Sequence, residues 1–123
     1  MDFIKLNGQN TPSPTLTVGG ISVFKEFLPP SDQLHLVKEL REVAAQAPVF
    51  SPKTKSGKPM SVRLTAAGDF GWFSDQRGYR YVEQHPSGVN WPEIPDAIMA
   101  IWRAVAGAVP DPECCLVNFY GDG

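Results

Sequence analysis

The side chains able to ligate a metal or act as nucleophiles are few and poorly spaced for either task. His35 stands between Asp32 and Glu39, at the i−3 and i+4 distances where a helix pairs charges locally. His85 follows Glu83 and Gln84 and precedes Pro86, a loop context. Neither histidine belongs to a His-x-Asp or His-Glu-x-x-His pattern, and no Cys-x-x-Cys occurs, so the sequence holds no complete metal site. Cys114 and Cys115 are neighbours, and a bridge between them would distort the peptide they share. They are expected to be reduced, small residues of an apolar strand. No phosphate-cradling glycine loop or serine nucleophile elbow is present.

A different chemistry gathers in the middle of the chain. Between Val49 and Arg80, Lys53, Lys55, Lys58, Arg63, Arg77 and Arg80 face only Asp69 and Asp75. That is a net +4 inside a chain whose total is −2, a segment that could contact an anion locally without general attraction to polyanions. Trp72 and the run Gly78-Tyr79-Arg80-Tyr81 add flat rings to those cations. Cations that grip phosphates and rings that stack on an unpaired base are what a single nucleic-acid strand requires. Rings at strand positions also fill cores, and a lysine-rich loop is also an ordinary solvated loop, so both readings stand at this level.

These residues need elements to hold them. At 123 residues, 42% hydrophobic and 20% charged, the chain is one domain with enough apolar mass for a core. Twelve prolines and eleven glycines favour loops and strands over a helix bundle. Residues 1–17 read as an extended arm, and Ile21–Phe27 as a short strand. Pro29-Pro30-Ser31-Asp32 starts a helix, capped by Ser31 or its neighbour, whose stripe is Leu36, Val37, Leu40, Val43 and Ala44; Pro48 ends it. The stretch from Ser51 to Pro59 reads as a flexible basic loop, and Met60–Thr65 as an alternating strand. Gly68 and Gly71 bracket a turn delivering Trp72 and Phe73, and a strand near Gly78–Glu83 is expected to pair with Met60–Thr65. A second helix opens at Pro95 with Ile98, Ile101, Trp102, Val105 and Val109 as its buried stripe, closed by Pro110. Cys114–Tyr120 is a strong strand candidate. Gly121-Asp122-Gly123 is turn chemistry with no strand behind it, from which a truncated chain or half of a longer domain is expected. No apolar run nears the ~20 residues of a membrane span. The first residues lack a secretory signal, so a cytoplasmic location is expected.

Five short motifs then occur in order: Met60-Ser61-Val62-Arg63-Leu64-Thr65, Gly71-Trp72, Gly78-Tyr79-Arg80-Tyr81, Trp91-Pro92-Glu93-Ile94-Pro95 and Cys115-Leu116-Val117-Asn118-Phe119-Tyr120. The arrangement, from about Ile21 onward, resembles the AlkB family of Fe(II)/2-oxoglutarate-dependent dioxygenases, which oxidatively dealkylate bases in nucleic acid. The resemblance implies an α+β fold over residues 18–123. It would consist of a nucleotide-recognition lid at about 49–85, outer helices, and the first core strand of a double-stranded β-helix (jelly roll). It implies that Trp72, Tyr79, Arg80, Tyr81, Met60 and Ser61 meet the substrate base and its phosphate, and that Asn118, Phe119 and Tyr120 serve 2-oxoglutarate. The implied cofactors are Fe(II) and 2-oxoglutarate, and the implied partner is alkylated DNA or RNA, handled by a full-length monomer. The reaction would hydroxylate a base N-methyl group and release it as formaldehyde, with 2-oxoglutarate going to succinate and CO2. The family's iron-binding His-x-Asp lies beyond its equivalent of the last strand here. The 123 residues alone are therefore expected to be inactive. Two other classes stay open: a non-catalytic nucleic-acid-binding module, and a fragment that docks on a partner through the Cys114–Tyr120 edge.

Overall fold

The computed structural model describes residues 13–121, which divide into two compact units. Most of the expected arm lies outside the described residues.

The first unit holds the described residues up to Glu39 together with Asp96–Asp111. Strands β1 (Leu16–Val18) and β2 (Ile21–Val23) form a hairpin in register Leu16↔Val23, turning through Gly19 and Gly20 at positive φ. Helix α1 (Pro30–Gln46) opens on Pro30, whose fixed φ and absent N–H suit a first turn. The Gln33 N–H already donates to the Pro29 carbonyl at 3.0 Å, so Ser31 falls inside the first turn and does not cap it. Helix α2 spans Asp96–Ala106. The Glu39 carboxylate accepts the Ala97 N–H at 3.4 Å through one oxygen and meets His35 Nε2 at 3.0 Å through the other. The expected buried stripe of α2 is corrected here. Ala97 is its buried residue, Ile98 and Ile101 are half-buried, and Trp102 and Val105 are exposed. Gly107, at φ 77°, ends the helix before Val109 is reached.

The second unit, Leu40–Pro95 with the stretch from Pro112, carries the chemistry-bearing residues. Its centre is the antiparallel pair β3 (Arg63–Gly68) and β6 (Cys114–Phe119), in register from Arg63↔Phe119 to Gly68↔Cys114. Leu64, Thr65, Ala66 and Ala67 are all buried. A strand covered on both faces does not alternate, which is why the alternation over Met60–Thr65 placed it three residues early. The expected pairing is corrected too. Strand β5 (Gly78–Val82) pairs with β4 (Gly71–Asp75), which contains Trp72 and Phe73, while β3 pairs with β6.

The lysine-rich stretch is an ordered hairpin, not a flexible loop. Met60 N–H donates to Pro52 O at 2.7 Å, Thr54 N–H to Lys58 O at 2.9 Å, and Gly57 N–H to Thr54 O at 2.9 Å. Gly57 sits at φ 85°, and the Thr54 and Ser56 hydroxyls bond at 2.8 Å. Local turn chemistry outweighs the polar composition.

Trp91 ties this unit together. It is buried with Ala47 and Ala66, against which Phe50, Val82 and Cys114 pack. Its Nε1–H donates to the Val82 carbonyl at 2.9 Å, and its ring meets His85 edge-on at 5.3 Å. His85 is buried, donating from Nε2 to Pro48 O at 2.6 Å and accepting the Ser87 N–H on Nδ1 at 3.0 Å. Thr65 Oγ1–H donates to Ala47 O at 2.6 Å, so two carbonyls just past α1 find side-chain donors.

Gly71 has no side chain because the Trp91 indole occupies the place of its Cβ. Gly71→Ala should therefore lower unfolding stability by about 1–3 kcal/mol through overpacking. Gly121→Ala, where a Cβ meets nothing within 4 Å, should leave the denaturation midpoint unchanged. Equal midpoints for the two variants would contradict the packing of Trp91 on Gly71.

Candidate nucleic-acid interface and cosubstrate face

Strand alternation sorts the β4–β5 hairpin into two faces. Trp72 lies opposite Tyr81 and Ser74 opposite Tyr79, so Trp72, Ser74, Tyr79 and Tyr81 share the front. Phe73 lies opposite Arg80, and both belong to the back. On the front, the Trp72 and Tyr79 rings are stacked, with centroids 6.3 Å apart and planes 22° apart. Trp72 is half-buried, while Tyr79 is 75% and Tyr81 64% exposed. Three rings, two of them largely bare, form a π-surface of the kind that accepts a base.

Arg80 does not join them. Its guanidinium forms a fork on Asp75, Nη1 to Oδ1 at 2.9 Å and Nη2 to Oδ2 at 3.1 Å, and lies 5.1 Å from the Phe73 ring centroid. The structure thus separates Arg80 from Tyr79 and Tyr81, its neighbours in sequence.

The lysine hairpin runs beside β4. Lys53 N–H donates to Ser74 O at 3.1 Å, and Ser74 Oγ–H to Lys53 O at 2.8 Å. The two hairpin tips also meet, since a Cβ on Gly57 would press on the Gln76 amide and one on Gly78 would touch Lys55 Cε at 3.6 Å. Lys53, Lys55, Lys58 and Arg77 are all exposed along this double tip. Met60 is half-buried at the base of the lysine hairpin, and Ser61 follows it, exposed.

On β6, Val117 and Phe119 form one face, and Cys114, Leu116 and Asn118 the other. Asn118 Nδ2–H donates to Tyr120 Oη at 3.1 Å, so this amide and phenol share a face. Both are exposed, Tyr120 at 79%. Phe119 is half-buried on the opposite face and does not join them. At the other end of β6, Cys114 lines an open cavity of about 420 Å³ with Phe70, Tyr81 and Glu113. The Trp72 backbone N–H reaches the Cys114 thiol, yet burial is the larger influence and pushes that thiol up. Burial raises Cys115 likewise. Asn118 lies four residues along the strand from Cys114, roughly 13 Å. One face of β6 thus carries the cavity shared with Tyr81 at one end and the amide–phenol pair at the other. Among the described residues, no three His, Cys, Asp or Glu side chains gather as a metal site.

Residues 20–123 match the family model of the 2OG-Fe(II) oxygenase superfamily. The chain belongs to that superfamily. Its relatives are AlkB proteins. It is 44% identical over 111 residues to an alpha-ketoglutarate-dependent dioxygenase AlkB homolog of Caulobacter vibrioides, an alignment covering 89% of this chain and 50% of the relative. It is 33% identical over 93 residues to the alpha-ketoglutarate-dependent dioxygenase AlkB of Escherichia coli, covering 72% of this chain and 43% of that protein. The chain thus spans about half the length of the curated relatives it matches. The two helices and small antiparallel sheets among the described residues are consistent with membership of the superfamily. No helix among the described residues is long and apolar enough to cross a membrane.

Two further residues of this AlkB-like chain hold the hairpin in place. Asp75 holds Arg80 and also accepts the Arg77 N–H at 2.9 Å, and Trp91 holds the base of the hairpin. Asp75 carried a local signal, an acid opening a turn that Gly78 closes. Trp91 stands in the motif Trp91-Pro92-Glu93-Ile94-Pro95, but its packing role leaves no local signal, because its partners are distant in sequence.

The Arg80 fork, then the Arg77 N–H, hold the Asp75 carboxyl down to about 2. Because the folded value lies below the ordinary one, the ionised form is favoured by folding. Its contribution is fully present above about pH 4 and is lost as pH falls towards 2. Wild type should therefore lose more thermal stability between pH 4 and 2 than Asp75→Asn, by a modest margin because the pair is solvated. Parallel pH profiles of the two midpoints would contradict the pairing.

Proposed function

We propose that this chain supplies the base-recognition lid and part of the 2-oxoglutarate site of an AlkB-type dioxygenase that removes N-methyl groups from damaged nucleic acid. The observation that carries the reading is the front of the β4–β5 hairpin, where Trp72, Tyr79 and Tyr81 present rings and Tyr81 shares a cavity with the Asn118-bearing face of β6. A methylated base that has lost its pairing costs less to extrude, and once extruded it offers a flat face to these rings. Lys53, Lys55, Lys58 and Arg77 along the hairpin tips suit a phosphate backbone. Met60 and Ser61 are assigned to the same pocket on the motif they belong to.

Asn118 and Tyr120 fit 2-oxoglutarate chemically, because an amide N–H and a phenol O–H on one exposed face both donate to a carboxylate. Phe119, from the opposite face, serves by packing β6. When bound, iron and 2-oxoglutarate supply the oxidising chemistry, with 2-oxoglutarate ending as succinate and CO2. The described residues do not fit the iron, since no donor cluster exists among them and the sequence has no His-x-Asp. The role of these residues is to bind and orient, and the 123 residues alone are expected to show no turnover. The jelly-roll placement of β6, action on DNA, a monomeric whole protein and a cytoplasmic location belong to the same proposal. Two unbridged cysteines are compatible with that location.

Trp72→Ala should weaken binding of a methylated single-stranded oligonucleotide more than of an unmodified one. The lost stacking is worth about 1–3 kcal/mol, roughly five- to hundredfold in affinity. Replacing Lys53, Lys55 and Lys58 by alanine should instead lower both affinities and flatten their salt dependence. If Trp72→Ala drops the unfolding midpoint sharply and leaves the methylated-to-unmodified ratio intact, Trp72 is core and the assignment is wrong.

A further inference from the structure

Arg80 lies between two exposed tyrosines in a basic segment, yet its charge is turned away from them and spent on Asp75. A two-stranded hairpin is marginally stable by itself. Here the core grips its base while the lysine hairpin bonds β4 at Ser74, which leaves the β5 side of the tip to be held. Trp91 secures the base, at the Gly71↔Val82 pair. At the tip, Asp75↔Gly78 is the last pair, and Tyr79 is the next residue along the chain. Fraying there would turn the Tyr79 ring away from Trp72.

The back of the hairpin contains what resists that fraying. Arg80 lies directly across from Phe73 and diagonally from Asp75, distances that long side chains span. Its fork holds both Asp75 oxygens, its Nη1 also reaches Gly78 O at 3.2 Å, and its Cζ lies over the Phe73 ring, 5.1 Å from the centroid. Asp75 Oδ1 also accepts the Arg77 N–H, so one carboxylate joins both strands and the turn between them. Phe73 in turn meets Phe50 with ring centroids 6.2 Å apart, which carries the contact inward from the tip.

We propose that Asp75 and Arg80, laid over Phe73, are positioning residues that clamp the lid hairpin from behind and hold Tyr79 against Trp72 on its front. The proposal rests on the reading of that front as the base-recognition surface. It replaces the expectation that Arg80 meets a phosphate. A guanidinium is required, because lysine cannot form the two-pronged fork on Asp75.

The two roles of Arg80 predict opposite results. Asp75→Asn removes a negative charge beside four exposed cations and loosens the hold on Arg80. If Arg80 contacts phosphate, this variant binds a methylated single strand more tightly and with a steeper salt dependence. If Arg80 is a clamp, the variant binds about three- to tenfold more weakly, part of the loss that stacking itself represents. Arg80→Lys keeps the charge, so a phosphate contact predicts near-native affinity and the clamp predicts a loss like that of Asp75→Asn. Both changes are at a solvated turn, and unfolding midpoints measured alongside separate loosening of the tip from loss of the fold. A readout free of nucleic acid accompanies them. Proton NOEs between the Trp72 and Tyr79 rings should be clear in wild type and should weaken or vanish in both variants, while Trp91–His85 NOEs persist. Unchanged Trp72–Tyr79 NOEs, or tighter binding by Asp75→Asn, would overturn the clamp. Trp72→Ala in the same titration separates this from failure of the underlying reading. If that variant keeps its preference for the methylated strand, the base-recognition surface is wrong. If it loses the preference while Asp75→Asn and Arg80→Lys bind as wild type, the clamp alone is wrong.

Discussion

One indole sets the geometry of the second unit. Trp91 fills the space where Gly71 would carry a side chain and bonds to the Val82 carbonyl, and Gly71 and Val82 are partners in the hairpin register. The base of β4–β5 is thereby fixed to Ala47, the residue after α1, and to Ala66 of β3. Burying a tryptophan is favourable only when its N–H is satisfied, and a strand-end carbonyl is a ready acceptor. His85, held between the Pro48 carbonyl and Ser87, packs its ring against the same indole and against Phe50. The lone loop histidine is therefore a packing residue with both ring nitrogens engaged.

From that anchor the period of a strand does the rest. Alternation divides Trp72, Tyr79 and Tyr81 from Phe73 and Arg80, so one hairpin carries a bare aromatic surface in front and an ion pair over a ring behind. The lysine hairpin adds cations beside the first surface without placing them among the rings. On β6 the same rule pairs Asn118 with Tyr120 and removes Phe119. Which face a residue occupies decides which of these surfaces it joins.

Much of this was legible in the amino-acid sequence, and the exceptions share a cause. Helix α1 and strand β6 announce themselves, one by a stripe at helical spacing ended by Pro48, the other by a dense apolar run. Strand β3 does not, because Leu64 to Ala67 are buried on both faces and contain two alanines, leaving no alternation to read. Its partner was missed because the pairing spans some fifty residues, whereas the eye pairs neighbours. The α2 stripe was overextended because Gly107 acts before Pro110. Among the site residues, Trp72, Tyr79, Tyr81, Asn118 and Tyr120 occupy exposed or half-buried faces able to meet a ligand. Strand alternation alone places Arg80 on the face opposite Tyr79 and Tyr81, but its partner needed the register, which brings Asp75 beside it.

The proposed function requires an alkylated base to lie on the Trp72 ring. Labelling the chain with 5-fluorotryptophan gives one fluorine signal for each of Trp72, Trp91 and Trp102. Titration with a short single strand carrying one N-methylated base should then move the Trp72 signal, and move it further than an unmodified strand does, because a stacked base changes the ring-current field at the indole. The signals of Trp91, sealed in the core, and of Trp102, on α2, should hold still. A strand that binds without moving Trp72, or that shifts all three signals alike, would contradict the account.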